Sequence, residues 1–192
     1  MSKKDFVGLS CITVGTGQGG TISMLARVSV VDTGGNVLYD AYVKPTSKVE
    51  SYRFATTGLD ASYFVSGEYP VPFEEAQLTV ARWLAGKIVI GHQLWLDLQV
   101  LGLPHPAVDT RDVSLYLPFR ATLKRPNEIL GLPTLVWHLM RRKIQAGFLD
   151  SAESARAAMD LYQSYERQWE ESVLQDLWPC ALPPVAFARH YT

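Results

Sequence analysis

The sequence predicts an α/β layer fold with a mixed central sheet flanked by helices, and three observations carry that reading. Short β-branched runs crowd the first 45 residues, helical spacing takes over from residue 73, and one run, KIVIG at 87–91, apolar after its first residue, stands between two helical segments. A strand apolar at every position is buried on both faces, so it belongs inside a sheet covered by helices on either side.

The elements follow in order. FVGLSCITV (6–14) is strand-like and runs into the glycine-rich stretch GTGQGG. A phosphate cradle requires such a loop to open a helix, whose N-terminus binds the anion. This loop feeds TISMLARVSVV instead and no GK[ST] follows, so it reads as a connection between two strands. Residues 24–32 and 36–45, parted by TGG, form a hairpin. The helix at 73–86 has Phe73, Ala76, Val80, Trp83 and Leu84 at helical spacing, acids in its first turn and Gly86 at its end. Residues 93–102 make an almost wholly apolar helix. Beyond a proline-punctuated stretch at 104–106 come VDTRDVSLYLPF and the polar loop RATLKRPNE. The helix at 132–143 turns Leu135, Trp137 and Leu139 inward. The longest helix, 150–171, starts with Asp150 and Glu153 in capping-box spacing and carries the stripe Ala155, Met159, Tyr162, Tyr165 and Trp169.

Composition narrows the function classes. A chain of 192 residues, 47% apolar and 19% charged, suits one folded domain rather than a disordered chain. The net charge of −1 gives no broad positive field for nucleic acid. Cys11 and Cys180 are far apart, and Cys11 lies in an apolar run, which predicts a buried reduced thiol. Neither a signal-peptide core nor a membrane-length apolar stretch follows MSKKDF, so the expectation is a soluble intracellular protein, nuclear or cytoplasmic, with no membrane partner.

Five blocks, SMLARVSVVDTGGNVLYDAYVKP, YRFATTGL, LAGKIVIGHQLWLDLQVL, RDVSLYLPFR and SARAAMDLYQSYERQWE, resemble successive blocks of one family in order and spacing. That family is the DEDDh 3′–5′ exonucleases of the ribonuclease H-like fold, in the branch of RNA exonuclease 4 and the interferon-stimulated exonucleases. The resemblance runs from about residue 7 to 171. It implies an exonuclease-like domain over 1–171, with 172–192 left as an apolar, proline-containing tail. It also implies two-metal phosphodiester hydrolysis, in which four carboxylates hold two Mg²⁺ or Mn²⁺ ions and a histidine activates water.

Carried over position by position, the resemblance puts the first-strand acids at Ser10 and Ile12, the helix acid at Asp97, the histidine at Leu149 and the last acid at Ser154. One of the five keeps its acid. The expectation is therefore no intact catalytic set, no metal, no cofactor and no enzyme: an exonuclease-fold module that binds a protein partner, RNA or both in an RNA-processing or silencing complex. The competing expectation is an active metal-dependent exoribonuclease in ribosomal RNA maturation, with relocated ligands.

Other residues have plainer readings. Asp97 is either a remnant of the metal site or an acceptor for nearby backbone or Ser10. Asp150 and Glu153 read as a helix cap, Asp112 and His92 as structural, and His138 as a half-buried surface residue. Two basic clusters, Arg120, Lys124, Arg125 and Arg141, Arg142, Lys143, are candidate phosphate contacts for weak RNA binding. The tail is too apolar for a free end. It packs either on its own domain or on a partner or second copy, with Leu177, Trp178, Leu182 and Phe187 as the contacts.

Overall fold

The computed structural model describes residues 5–65 and 70–192. Six strands form one sheet: β1 (Phe6–Thr16), β2 (Ile22–Val31), β3 (Val37–Val43), β4 (Pro70–Val71), β5 (Ile88–Gly91) and β6 (Thr110–Asp112), in spatial order β4-β3-β2-β1-β5-β6. β1, β2 and β3 are an antiparallel meander. β5 then joins β1 in parallel, as its continuous apolar run requires, and β6 extends the sheet in parallel beyond it. The helices are α1 (Phe54–Thr57), α2 (Ser62–Val65), α3 (Phe73–Leu84), α4 (Leu94–Leu101), α5 (Leu117–Thr122), α6 (Leu132–Met140) and α7 (Ser151–Leu174). None of the described helices is long and apolar enough to cross a membrane.

Side-chain alternation along β1 assigns the two layers. Val7 and Leu9 face α3 and α4, in a core with Val80, Leu84, Leu94 and Leu98. On the other face lies α7, and it comes so close that a side chain at Gly8 would sit 3.1 Å from the Ala155 carbonyl oxygen. The second core, between α6 and α7, centres on Trp169, which stacks flat on Tyr116 with ring centroids 3.9 Å apart.

The glycine-rich loop is a strand-to-strand connection: residues 18–20 make a single 3₁₀ turn leading into β2. Gly15 is clamped by Ser51, whose backbone exchanges two hydrogen bonds with it at 2.7 and 3.1 Å. At Gly15 any β-carbon would overlap the Gly20 carbonyl, so the close approach demands glycine.

Several expectations are corrected. The two- and three-residue strands β4 and β6 and the short helices α1, α2 and α5 are additions. The helix foreseen at 132–143 stops at Met140 because Arg141 turns left-handed, and Trp137 points outward, 41% exposed. α7 continues to Leu174. Its capping box is half-formed: Asp150 accepts the Glu153 N–H at 2.7 Å, while the Glu153 carboxylate accepts the Gln145 N–H instead of returning to Asp150. His138 is exposed rather than half-buried, and Cys11 is only partly buried, though its thiol is free as expected.

The tail lies on its own domain. Leu117 donates to the Pro179 carbonyl, Ala181 to that of Leu115, and His105 to that of His190. Cys180 is buried, and Phe187 packs near Trp95 with ring centroids 6.5 Å apart. Trp178 is not a buried anchor; it lies half-covered over the Arg111 guanidinium, 5.7 Å from it. Leu177 and Leu182 stand in solvent.

Candidate functional site

A cleft of about 430 Å³ opens over the second half of β1. Ser10, Ile12, Asp97, Leu149 and Ser154 all line it, so five positions spread over 145 residues of chain meet at one place. β1 supplies the floor. Ser10 and Ile12, two residues apart, share one face, and a register shift between Ile12 and Thr13 brings Thr13 to the same opening.

α4 supplies the carboxylate. The helix starts directly after β5, where Gln93 takes a left-handed conformation, and its first N–H groups are held from outside. Asp112, at the end of β6, accepts from Gln93 N (3.0 Å), Leu94 N (2.7 Å), Ser114 N (2.9 Å) and Ser114 Oγ (2.7 Å). His92 is tied by its Nε2 to the Leu130 carbonyl at 2.7 Å. Both residues position the turn, Asp112 from behind the helix and His92 from the edge of the cleft. Asp97, one turn into α4, accepts the Cys11 backbone N–H at 3.1 Å. Burial pushes its carboxyl well above the ordinary range; the Cys11 N–H and thiol work against this and the Asp112 charge adds to it. The Cys11 thiol is pushed up in turn, first by burial and then by Asp97.

The third wall is the start of α7. The Leu149 N–H donates to the Thr56 carbonyl at 2.9 Å. Ser154 Oγ donates to the Asp150 carbonyl and accepts from Gln145 Nε2 at 3.0 Å. Asp150 itself is drawn to the Arg27 guanidinium at 2.9 Å, so it is engaged as cap and ion pair.

Two lining residues were not foreseen individually. Arg53, inside the block YRFATTGL, reaches Thr13 Oγ1 (2.7 Å), Ser23 Oγ (3.1 Å) and the Gly20 carbonyl (3.3 Å). Gln145 enters from a left-handed turn before α7. Both depend on irregular backbone, which periodicity does not register.

The basic clusters split. Arg120 is corrected outright: it is 6% exposed, and its Nε and Nη2 donate to the Ser114 carbonyl at 3.0 and 2.8 Å, so it pins a loop and offers nothing to a phosphate. Arg142 pairs with Asp160 at 2.7 Å, Arg125 with Glu128 at 3.4 Å, and Lys143 lies over the Trp137 ring. Lys124 and Arg141 are exposed. None of the six lines the cleft.

A two-ion centre needs several hard oxygen ligands converging on one point. Among the described residues Asp97 is the sole carboxylate lining the cleft, and no group of three or more His, Cys, Asp or Glu side chains is placed to hold a metal ion. The donor set does not fit a two-ion centre.

No family model matches the chain. Individual relatives do. Human apoptosis-enhancing nuclease is 38% identical over 180 residues, covering 91% of this chain and 54% of the relative. RNA exonuclease 4 of Xenopus laevis is 38% identical over 167 residues, 87% of this chain and 38% of the relative. The chain thus spans about half or less of the length of these relatives. Among solved structures, the Saccharomyces cerevisiae Pan2 pseudoubiquitin hydrolase–RNA exonuclease module in complex with AAGGAA RNA matches with a TM-score of 0.75 at 23% identity, over 91% of this chain and 30% of that one. The Neurospora crassa Pan2 catalytic unit matches with 0.73 at 22% identity, over 90% and 28%. At such identities the likeness is one of fold. The chain belongs to the DEDDh exonuclease family. Its relatives' names, apoptosis-enhancing nuclease and RNA exonuclease 4, overturn the expectation of a non-enzyme and point to an enzyme. Ser10, Ile12, Leu149 and Ser154 stand around Asp97 in the cleft of this exonuclease-family chain.

Proposed function

We propose that the protein is an exonuclease-family enzyme that takes the 3′ end of a single-stranded RNA into the cleft and hydrolyses it slowly through proton transfer at Asp97, without a two-ion centre. The observation that carries this reading is Asp97 itself, a cleft-lining carboxylate with one N–H partner and a carboxyl held above the ordinary range. A group of that kind, once ionised, is a stronger base than an exposed aspartate. In the proposed step, water bonds to phosphorus as Asp97 takes its proton, and the bond from phosphorus to the penultimate O3′ breaks. The leaving oxygen takes a proton from solvent. RNA as substrate is supported by the name RNA exonuclease 4 among the relatives and by the fold shared with the RNA exonuclease module of Pan2.

The test is end-labelled single-stranded RNA incubated with Mg²⁺, with Mn²⁺ and with chelator. General-base catalysis contributes about 10²–10⁴-fold, so slow shortening from the 3′ end is expected in all three conditions. It should rise with pH as Asp97 ionises and vanish in Asp97→Asn. RNA left intact throughout, or shortening abolished by chelator, would overturn the proposal.

A further inference from the structure

Beside the cleft, two phenylalanines present their rings to solvent. Phe54 follows the cleft residue Arg53, and Phe148 precedes the cleft residue Leu149. Their ring centroids are 5.4 Å apart with planes inclined at 59°, and the residues are 54% and 55% exposed. The hydrogen bond from Leu149 N to the Thr56 carbonyl stitches the two segments together. Gly58, at φ 67°, completes the seat: a β-carbon there would lie 2.5 Å from the Phe148 ring. The pair is thus held in place from below and bare above.

A ring pair that packed only as a clamp would bury its faces, since each exposed aromatic forgoes the burial that ordinarily stabilises it. From these rings and their continuity with the cleft we infer that Phe54 and Phe148 form a stacking platform for a nucleobase of the strand whose end enters the cleft. The inference rests on the reading of the cleft as a strand-end site. Every base has a π-face, so such a platform takes any sequence. It also supplies affinity that charge does not, which suits a chain of net charge −1 whose basic clusters lie away from the cleft.

Short single-stranded RNAs, each with one abasic position moved along from the 3′ end, test this by fluorescence anisotropy on the full chain. In the unmodified protein one abasic position should weaken binding by about 5- to 150-fold. In the double variant Phe54→Ala, Phe148→Ala the intact strand should bind that much more weakly, and the abasic series should become flat. Phe54→Trp should restore the position-dependent loss when Phe148 is kept. If the double alanine variant fails to fold, Phe148→Leu, which keeps an apolar side chain over Gly58, should show the same loss.

Strong binding with a flat abasic series in the unmodified protein would overturn the platform while leaving the cleft reading standing. No measurable binding of any RNA would overturn both. A position-dependent loss that persists in the double variant would locate the stacking surface elsewhere and also overturn the platform.

Discussion

Asp97 and Asp112 are both buried carboxylates at the same short helix, and their surroundings differ. Asp112 receives four hydrogen bonds from Gln93, Leu94 and Ser114 and holds the first turn of α4 from outside the helix. Asp97 is held by the Cys11 N–H and thiol and borders the cleft. Burial pushes both carboxyls up, but at Asp112 His92 and the surrounding donors pull back, while Asp97 is left well above the ordinary range. A buried acid whose oxygens take four donors from the frame is part of that frame, and one held only by the N–H and thiol of a single residue at the edge of a cleft is available for chemistry.

The largest expected effect comes from adding carboxylates to the cleft. Ser10→Asp with Ile12→Glu would set two further acids beside Asp97 and remove a side chain that is only 4% exposed. Like-charge repulsion and lost apolar burial should destabilise the metal-free protein by about 3–5 kcal/mol. Millimolar Mg²⁺ should return part of that in the melting temperature, and a variant indifferent to Mg²⁺ would show that these positions do not converge on an ion. Next is Asp112→Ala, which strands the Gln93, Leu94 and Ser114 donors. A loss of about 3 kcal/mol in denaturant unfolding is expected, and a loss below about 1 kcal/mol would erase the contrast between the two acids.

The smallest effect in stability, and the sharpest in sign, belongs to Asp97→Asn. A carboxyl whose folded pKa lies above its unfolded one leaves the native state holding more protons than the unfolded state between the two values. Stability from Asp97 is therefore full at low pH and falls as pH rises through the raised folded value. Asparagine removes that slope. The variant should lie within about 1 kcal/mol of the parent at acidic pH and be the more stable of the two above the titration. Urea unfolding at several pH values measures this, and parallel curves for the two proteins would contradict it.

Much of this arrangement was legible in the sequence, for identifiable reasons. β1, the hairpin, α3, β5, α4 and α7 announce themselves by period, because each has a buried face several residues long. β4 and β6, at two and three residues, are too short to show a period and exist through pairing with longer neighbours. Trp137 was misread because its hydrophobicity suggested the core, whereas it lies outward under Lys143. At the site, Asp97 and its four companions came from the resemblance, and they do share one cleft. Arg53 and Gln145 were not individually foreseen, since both enter from left-handed backbone. Arg120 was misassigned because sequence shows a charge but not the carbonyl it is folded onto.

The hydrogen bond from Cys11 to Asp97 spans 86 residues of chain, and the third wall of the cleft arrives only with Leu149 and Ser154. Closing a loop costs entropy that grows with the logarithm of its length, so contacts this distant cost more to close than the local pairings of the β1–β2–β3 meander. The cleft consequently has no subdomain of its own. Its walls come from β1, α4 and the start of α7, so no contiguous fragment of the protein contains it.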